Sequence, residues 1–226
     1  MLSSKWRVTA GACVLLASAI GQLAQYVVAP AHVSSGTAAD QVAALAGHGS
    51  RIELSIWLDL LILLVIPAAL YLGLLAGAKT SKLATVGTAV TFAGSLGAGY
   101  LLALDPLIYF ASQTTDHAGA VELLSAYESS GIVTFMVIAG VLGTTLGYVL
   151  LGIAMIRTRR MPIWVGASVA AAAVLEIAGQ GAGVEAVAIA AYCLRLAAFG
   201  ACAVALYRYA RLDQAGVTQM VAPVPV

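Results

Sequence analysis

Six long apolar runs, separated by short polar stretches, set the pattern of this chain. They cover Val8–Val28, Leu54–Ala76, Leu83–Leu104, Ile132–Met155, Ile163–Gly183 and Ala186–Tyr207. About 20 apolar residues in helical form cross a ~30 Å hydrocarbon core, and each run is of that order. Inside lipid the backbone must satisfy its own hydrogen bonds, so runs of this length predict helices. A barrel would show alternation over shorter segments. The fold class expected is therefore all-α, a polytopic bundle of about six transmembrane helices in one domain, residues 1–212. The remaining residues, 213–226, read as a disordered tail.

Lys and Arg placement orients the bundle. Lys5 and Arg7 precede the first run, Lys79 and Lys82 follow the second, Arg157, Arg159 and Arg160 follow the fourth, and Arg208 and Arg211 follow the sixth. Basic residues concentrate in cytoplasmic loops, so both termini are expected on the cytoplasmic side, as in a multi-pass bacterial plasma-membrane protein. Arg51 falls in an outer loop, and Arg195 inside the sixth run. The first run also has the basic start of a signal peptide, but its apolar stretch exceeds the usual 7–15 residues.

Breaks and close approaches are legible too. Pro67 predicts a kink in the second helix, and Pro106 an end or bend of the third. Gly73/Gly77, Gly143/Gly147 and Gly179/Gly183 are spaced for close helix contact, read here as packing within the bundle in preference to a homodimer seam. The outer connections are the longer ones. Residues 38–46 predict a short helix and Val121–Tyr127 an interfacial one.

Composition agrees with the pattern: of 226 residues, 62% are hydrophobic and 9% charged, too few charges to cover a water-soluble fold. The net charge of +1 is scattered without a basic stripe, which argues against nucleic acid. Cys13, Cys193 and Cys202 lie in apolar runs and read as small buried hydrophobes. His32, His48 and His117 fall in outer loops without metal-ligand spacing; no metal or cofactor is expected. Trp6, Trp57 and Trp164 sit where interface anchors belong.

Ionisable groups inside a bilayer are costly, so those present are the candidates for chemistry. Asp59 lies roughly 8 Å below the outer end of the second helix and Glu176 roughly 10 Å below that of the fifth. Gln180 shares a face with Glu176. Ser18, Gln22, Gln25 and Tyr26 form a polar stripe on the first helix. Asp105 and Tyr109 are one turn apart, and Glu185, Tyr192 and Arg195 fall within a wedge of about 80° on the sixth. These groups predict one outward-open polar pocket, with Asp59, Glu176 and Arg195 as its chemical centre. Each has a plainer alternative: Arg195 neutralising Glu176 or Asp59 as a structural pair, and Glu53, Glu185 and Asp105 as solvated helix-end residues.

The stretch AADQVAALAGHGSRIELSIWLDLLILLVIPAALYLGL from Ala38 to Leu74, followed by LLALDPL from Leu101, resembles the small polytopic membrane proteins of high-GC actinobacteria. In size and build the chain is also similar to the bacterial membrane-bound terpene cyclases of indole-terpenoid pathways, although no diagnostic motif of that family is matched. That resemblance implies an acid-initiated cyclisation or isomerisation of a lipophilic, isoprenoid-like substrate. Asp59 would then be the acid and Glu176 its counterpart, with Arg195 tuning Glu176 and Tyr26 and Tyr192 facing cationic intermediates. A proton-coupled transporter and a non-catalytic accessory subunit are the other readings.

Overall fold

The computed structural model describes residues 5–29, 37–45, 48–77, 81–97, 99 and 101–220, and side chains as far as residue 208. Among these residues the structure is helical and without strands. The helices are α1 (Lys5–Val28), α2 (Ala38–Leu45), α3 (Gly49–Ile62), α4 (Val65–Ala76), α5 (Lys82–Gly97), α6 (Leu101–Gln113), α7 (His117–Glu128), α8 (Gly131–Thr158), α9 (Ile163–Gly181) and α10 (Glu185–Met220). Five stretches are long and apolar enough to cross a membrane: 6–28, 49–76, 131–158, 163–181 and 185–208. Large apolar side chains such as Ile132, Phe135 and Leu146 stand exposed on α8, and Trp57 and Leu60 on α3. A water-soluble surface does not carry such a load, so the protein is membrane-embedded.

The second crossing is α3 and α4 in series, broken at Leu63–Leu64. Pro67 has no N–H to give the Leu63 carbonyl, which accepts instead from Ile66 at 3.1 Å in a tighter turn, before Ala68 N–H resumes the helical pattern on Leu64 at 2.9 Å. The expected third span is different. Helix α5 stops at Gly97, and at about 24 Å it is shorter than the hydrocarbon core. The cause lies in Gly94–Gly99, where three glycines in six residues weaken helix propagation. Pro106 neither ends nor starts an element; it sits inside α6. At the far end of the chain, α10 runs on to Met220, so residues 213–220 of the expected tail are helix. Residues 221–226 lie outside the described residues.

Helix α5 lies in a backbone-to-backbone groove against α8. A Cβ added at Gly94 would lie 2.3 Å from the Thr144 nitrogen, and one at Gly147 would lie 2.5 Å from the Thr91 nitrogen. Gly152 of α8 and Gly166 of α9 meet the same way, each 2.4–2.6 Å from the other's carbonyl oxygen when given a Cβ. The spaced glycines thus serve contacts inside the bundle. Gly77, at φ 89°, instead closes α4 in the left-handed region.

The core has two main parts. The larger, from α1, α4, α5, α8, α9 and α10, centres on Leu15, Leu72, Leu151, Met155, Phe199 and Leu206 and fills the half of the bundle that holds the α4–α5 and α8–α9 turns. The smaller joins Val42 and Leu45 of α2, Ile52 of α3, Ile108 and Ala111 of α6, and Leu124 of α7. It forms a cap at the opposite end, where α6, after leaving α5, packs on α2, α3 and α7. Gln41 of α2 donates to Glu128 of α7 at 2.9 Å across this cap.

Candidate functional site

The polar groups within the spans gather into two clusters. The first is built on the α9–α10 hairpin. Its turn is set by Gly183, at φ 65°. Val184 N–H returns to the Gly179 carbonyl at 2.8 Å and Gly183 N–H to the Gln180 carbonyl at 3.2 Å, a Schellman closure. Close packing of Gly179 against Ala188 then brings α10 against α9, so that Glu176 and Gln180, one turn apart, face Tyr192 and Arg195.

Arg195 is only 5% exposed. It donates to Glu176 Oε2 of α9 and to Gln22 Oε1 of α1. Its guanidinium stands over two aromatic rings, 5.3 Å from the centroid of Tyr148 on α8 and 5.6 Å from that of Tyr192. The Tyr192 hydroxyl donates to Glu176 Oε1 at 3.0 Å and accepts from Gln180 Nε2 at 2.8 Å. Tyr26 packs its ring on Tyr192, centroids 5.0 Å apart. The cation is thus answered by one carboxylate, one amide and two π-faces, which is what makes a guanidinium tolerable at this depth.

The hydrogen bonds run in sequence from Gln180, exposed at the end of α9, through Tyr192 and Glu176 to Arg195 and Gln22 inside the bundle. Gln25 is half-buried on α1, and Glu185 is exposed at the start of α10, near enough to act electrostatically on Tyr26. Ser18 spends its hydroxyl on the Leu15 carbonyl of its own helix at 3.0 Å.

The second cluster is a pair of acids where the cap meets the bundle. Asp59 of α3 is 2% exposed, and Asp105 of α6, half-buried, lies near enough to act on it electrostatically. Two ionised carboxylates brought together away from water repel each other, and a carboxylate offers only acceptors, so neither can satisfy the other. The other oxygen of Asp59, Oδ2, is buried without a partner. Tyr109, a turn beyond Asp105, packs half-buried against the cap core.

Sequence reasoning placed Asp59 opposite Glu176, in one layer. The structure gives them different partners, Asp105 for Asp59 and Arg195 with Tyr192 for Glu176, with α1 packed between α3 and α10. Of the two partners proposed for Arg195, Glu176 is the one it holds. Tyr148 was passed over as a site residue; its signal was the single tyrosine of α8, in mid-helix where the other polar side chains are threonines. Among the described residues no group of three His, Cys, Asp or Glu side chains could hold a metal ion. His32 lies outside the described residues. Neither a protein-family model, nor a curated protein, nor a solved structure matches this chain.

Proposed function

We propose that this multi-pass membrane protein is an intramembrane acid catalyst, in which the Asp59–Asp105 pair delivers a proton to a lipophilic, isoprenoid-like substrate. The observation that carries this reading is the buried Asp59 carboxyl, with one oxygen left unpartnered and a second acid, Asp105, close enough to act on it. Two acids that share a site hold one proton between them, and such a proton is available to a basic or electron-rich carbon that enters the site.

In the step proposed, the O–H bond of the protonated carboxyl breaks as a C–H bond forms on an alkene, or an O–H bond on an epoxide. A carbocation results and the carboxylate keeps the electron pair. Loss of a neighbouring proton from the cation back to the pair closes the cycle, giving a cyclised or isomerised product without net change in protonation. Asp59 keeps the role of acid expected from the sequence, and Asp105, in place of Glu176, becomes its counterpart. The Lys and Arg distribution supports placing both chain ends in the cytoplasm, with the acid pair toward the outer side. The close-packed core of the inner half, with Leu15, Leu72, Leu151 and Phe199 fully buried, supports a one-sided site in preference to a transport path.

The test is turnover of a panel of prenylated alkenes and epoxides by the full chain in nanodiscs. Asp59→Asn and Asp105→Asn are expected to lower turnover by roughly a hundredfold or more, the usual weight of a general acid. Unchanged turnover in both variants would reject the pair as the acid.

A further inference from the structure

Around Arg195 two buried polar groups have no partner. Gln22 is 7% exposed and Tyr148 is 3% exposed. The amide nitrogen of Gln22 and the hydroxyl of Tyr148 are both buried without a hydrogen bond. Arg195 is a donor only, so the oxygen of Gln22 must face it and the amide N–H groups must point elsewhere. The Tyr148 ring stands over the same guanidinium, 5.3 Å from it, from the α8 side. Two hydrogen-bond donors from α1 and α8 therefore border one guanidinium, each lacking an acceptor. A buried donor left without an acceptor is costly, and a native interior normally fills such a demand.

We infer that the Arg195 centre is a second, separate binding site, which seats a neutral oxygen acceptor (a ketone, quinone or ester carbonyl) on Gln22 Nε2 and Tyr148 Oη. The class follows from charge and setting. Glu176 already neutralises Arg195, so an anion would bring an uncompensated charge into the bilayer, which is costly. The missing partners are acceptors, so a hydrocarbon would satisfy neither. The surroundings are Phe199 and other apolar side chains of the bundle core, so the bearer of the carbonyl must itself be lipophilic. The exposed Gln180 and half-buried Glu176 mark the end from which such a molecule would come. This site uses neither Asp59 nor Asp105 and stands whether or not they transfer a proton.

The experiment measures protein-dependent binding of menadione, a neutral dicarbonyl, to the full chain in nanodiscs, with empty nanodiscs as the partition control. 2-Methylnaphthalene, the same ring system without carbonyls, is the comparator, and laurate the anionic competitor. Diether phosphatidylcholine discs remove the lipid ester carbonyls, and ester phosphatidylcholine discs restore them. Saturable menadione binding is expected in the diether discs, weakened roughly two- to tenfold by Tyr148→Phe and by Gln22→Met, each of which deletes one hydrogen bond. 2-Methylnaphthalene should be indifferent to both changes. Persistence of binding in ester discs assigns the seat to a free lipophile, and loss of binding there assigns it to a lipid ester carbonyl; either supports a neutral acceptor. Tyr148→Phe removes a single oxygen, so it keeps the test sound if Gln22→Met does not fold. Menadione binding no tighter than that of 2-methylnaphthalene, binding unchanged in Tyr148→Phe, or displacement by laurate would overturn the inference.

Discussion

The two polar clusters solve the same problem in opposite ways. Around Arg195, charge meets charge: a carboxylate, an amide oxygen and two aromatic faces surround one guanidinium, and the assembly is neutral in charge as it stands. Around Asp59, like meets like: a second acid stands near a buried carboxyl, and on the proposed reading the two share one proton. The first arrangement ties α1, α8, α9 and α10 together and has nothing to give away. The difference is between ionisable residues of opposite sign that compensate one another and residues of like sign that do not, within the same bundle.

Breaking the ion pair should produce the largest effect. Arg195→Met leaves the half-buried Glu176 beside Tyr192 without its cation, and a loss of about 3 kcal/mol in unfolding free energy, the low end for a buried pair, is expected. Adding Glu176→Met to that variant should recover most of the loss, because the pair, unlike either half, can be exchanged for apolar groups. Reversible denaturation in mixed micelles reads both. A double variant no more stable than the single one would show that the cluster stabilises by something other than charge compensation.

Next in size is the seam that holds α5 to α8. Gly94→Ala would place its methyl 2.3 Å from the Thr144 backbone nitrogen. The two helices must then part, at a cost of about 1–3 kcal/mol by the same denaturation assay. Gly131, with open space about its Cβ position, is the control and should tolerate alanine with little loss.

The acid pair should respond differently from the ion pair. Asp59→Asn keeps the shape and supplies an N–H to a carboxylate at Asp105, so stability should change by no more than about 1 kcal/mol. A loss as large as that of Arg195→Met would remove the contrast between the two clusters.

The smallest effect belongs to the cap. Asp40 accepts from the Thr37 backbone N–H at 2.8 Å and from its hydroxyl at 2.7 Å, which lowers the carboxyl below its ordinary range. A group lowered in the folded state stabilises above its unfolded pKa, and that support is lost as pH falls through the folded pKa. The protection factors of amides in the first turn of α2, which remove the intrinsic pH dependence of exchange, should therefore fall on acidification through that range. In Asp40→Ala protection should be low throughout, without the pH step.

Much of the bundle was legible in the sequence, because a span is a matter of length and hydropathy. Five of the long apolar runs correspond to helices or a helix pair of crossing length, and the short helix expected at 38–46 is α2. The Pro67 break was legible because a missing N–H acts locally. The end of α5 was not, since hydropathy continues smoothly through Gly97 and Gly99 and only propensity falls. Nor was the division of the polar residues. Glu176 with Gln180, and Tyr192 with Arg195, share faces that helical periodicity reveals. Which face meets which neighbour depends on how α6 turns away from α5 and on α1 lying between α3 and α10, neither of which periodicity records. Asp105 had the look of a solvated helix end until α6 brought it against Asp59.

Infrared spectroscopy of the full chain in nanodiscs, in H2O and D2O at neutral pH, tests the shared proton most directly. The expected spectrum contains a protonated-carboxyl stretch that shifts on deuteration, disappears in both Asp59→Asn and Asp105→Asn, and survives Glu176→Gln. A spectrum with only ionised carboxylates at neutral pH, or a protonated band that vanishes with Glu176 and not with Asp59, would contradict it.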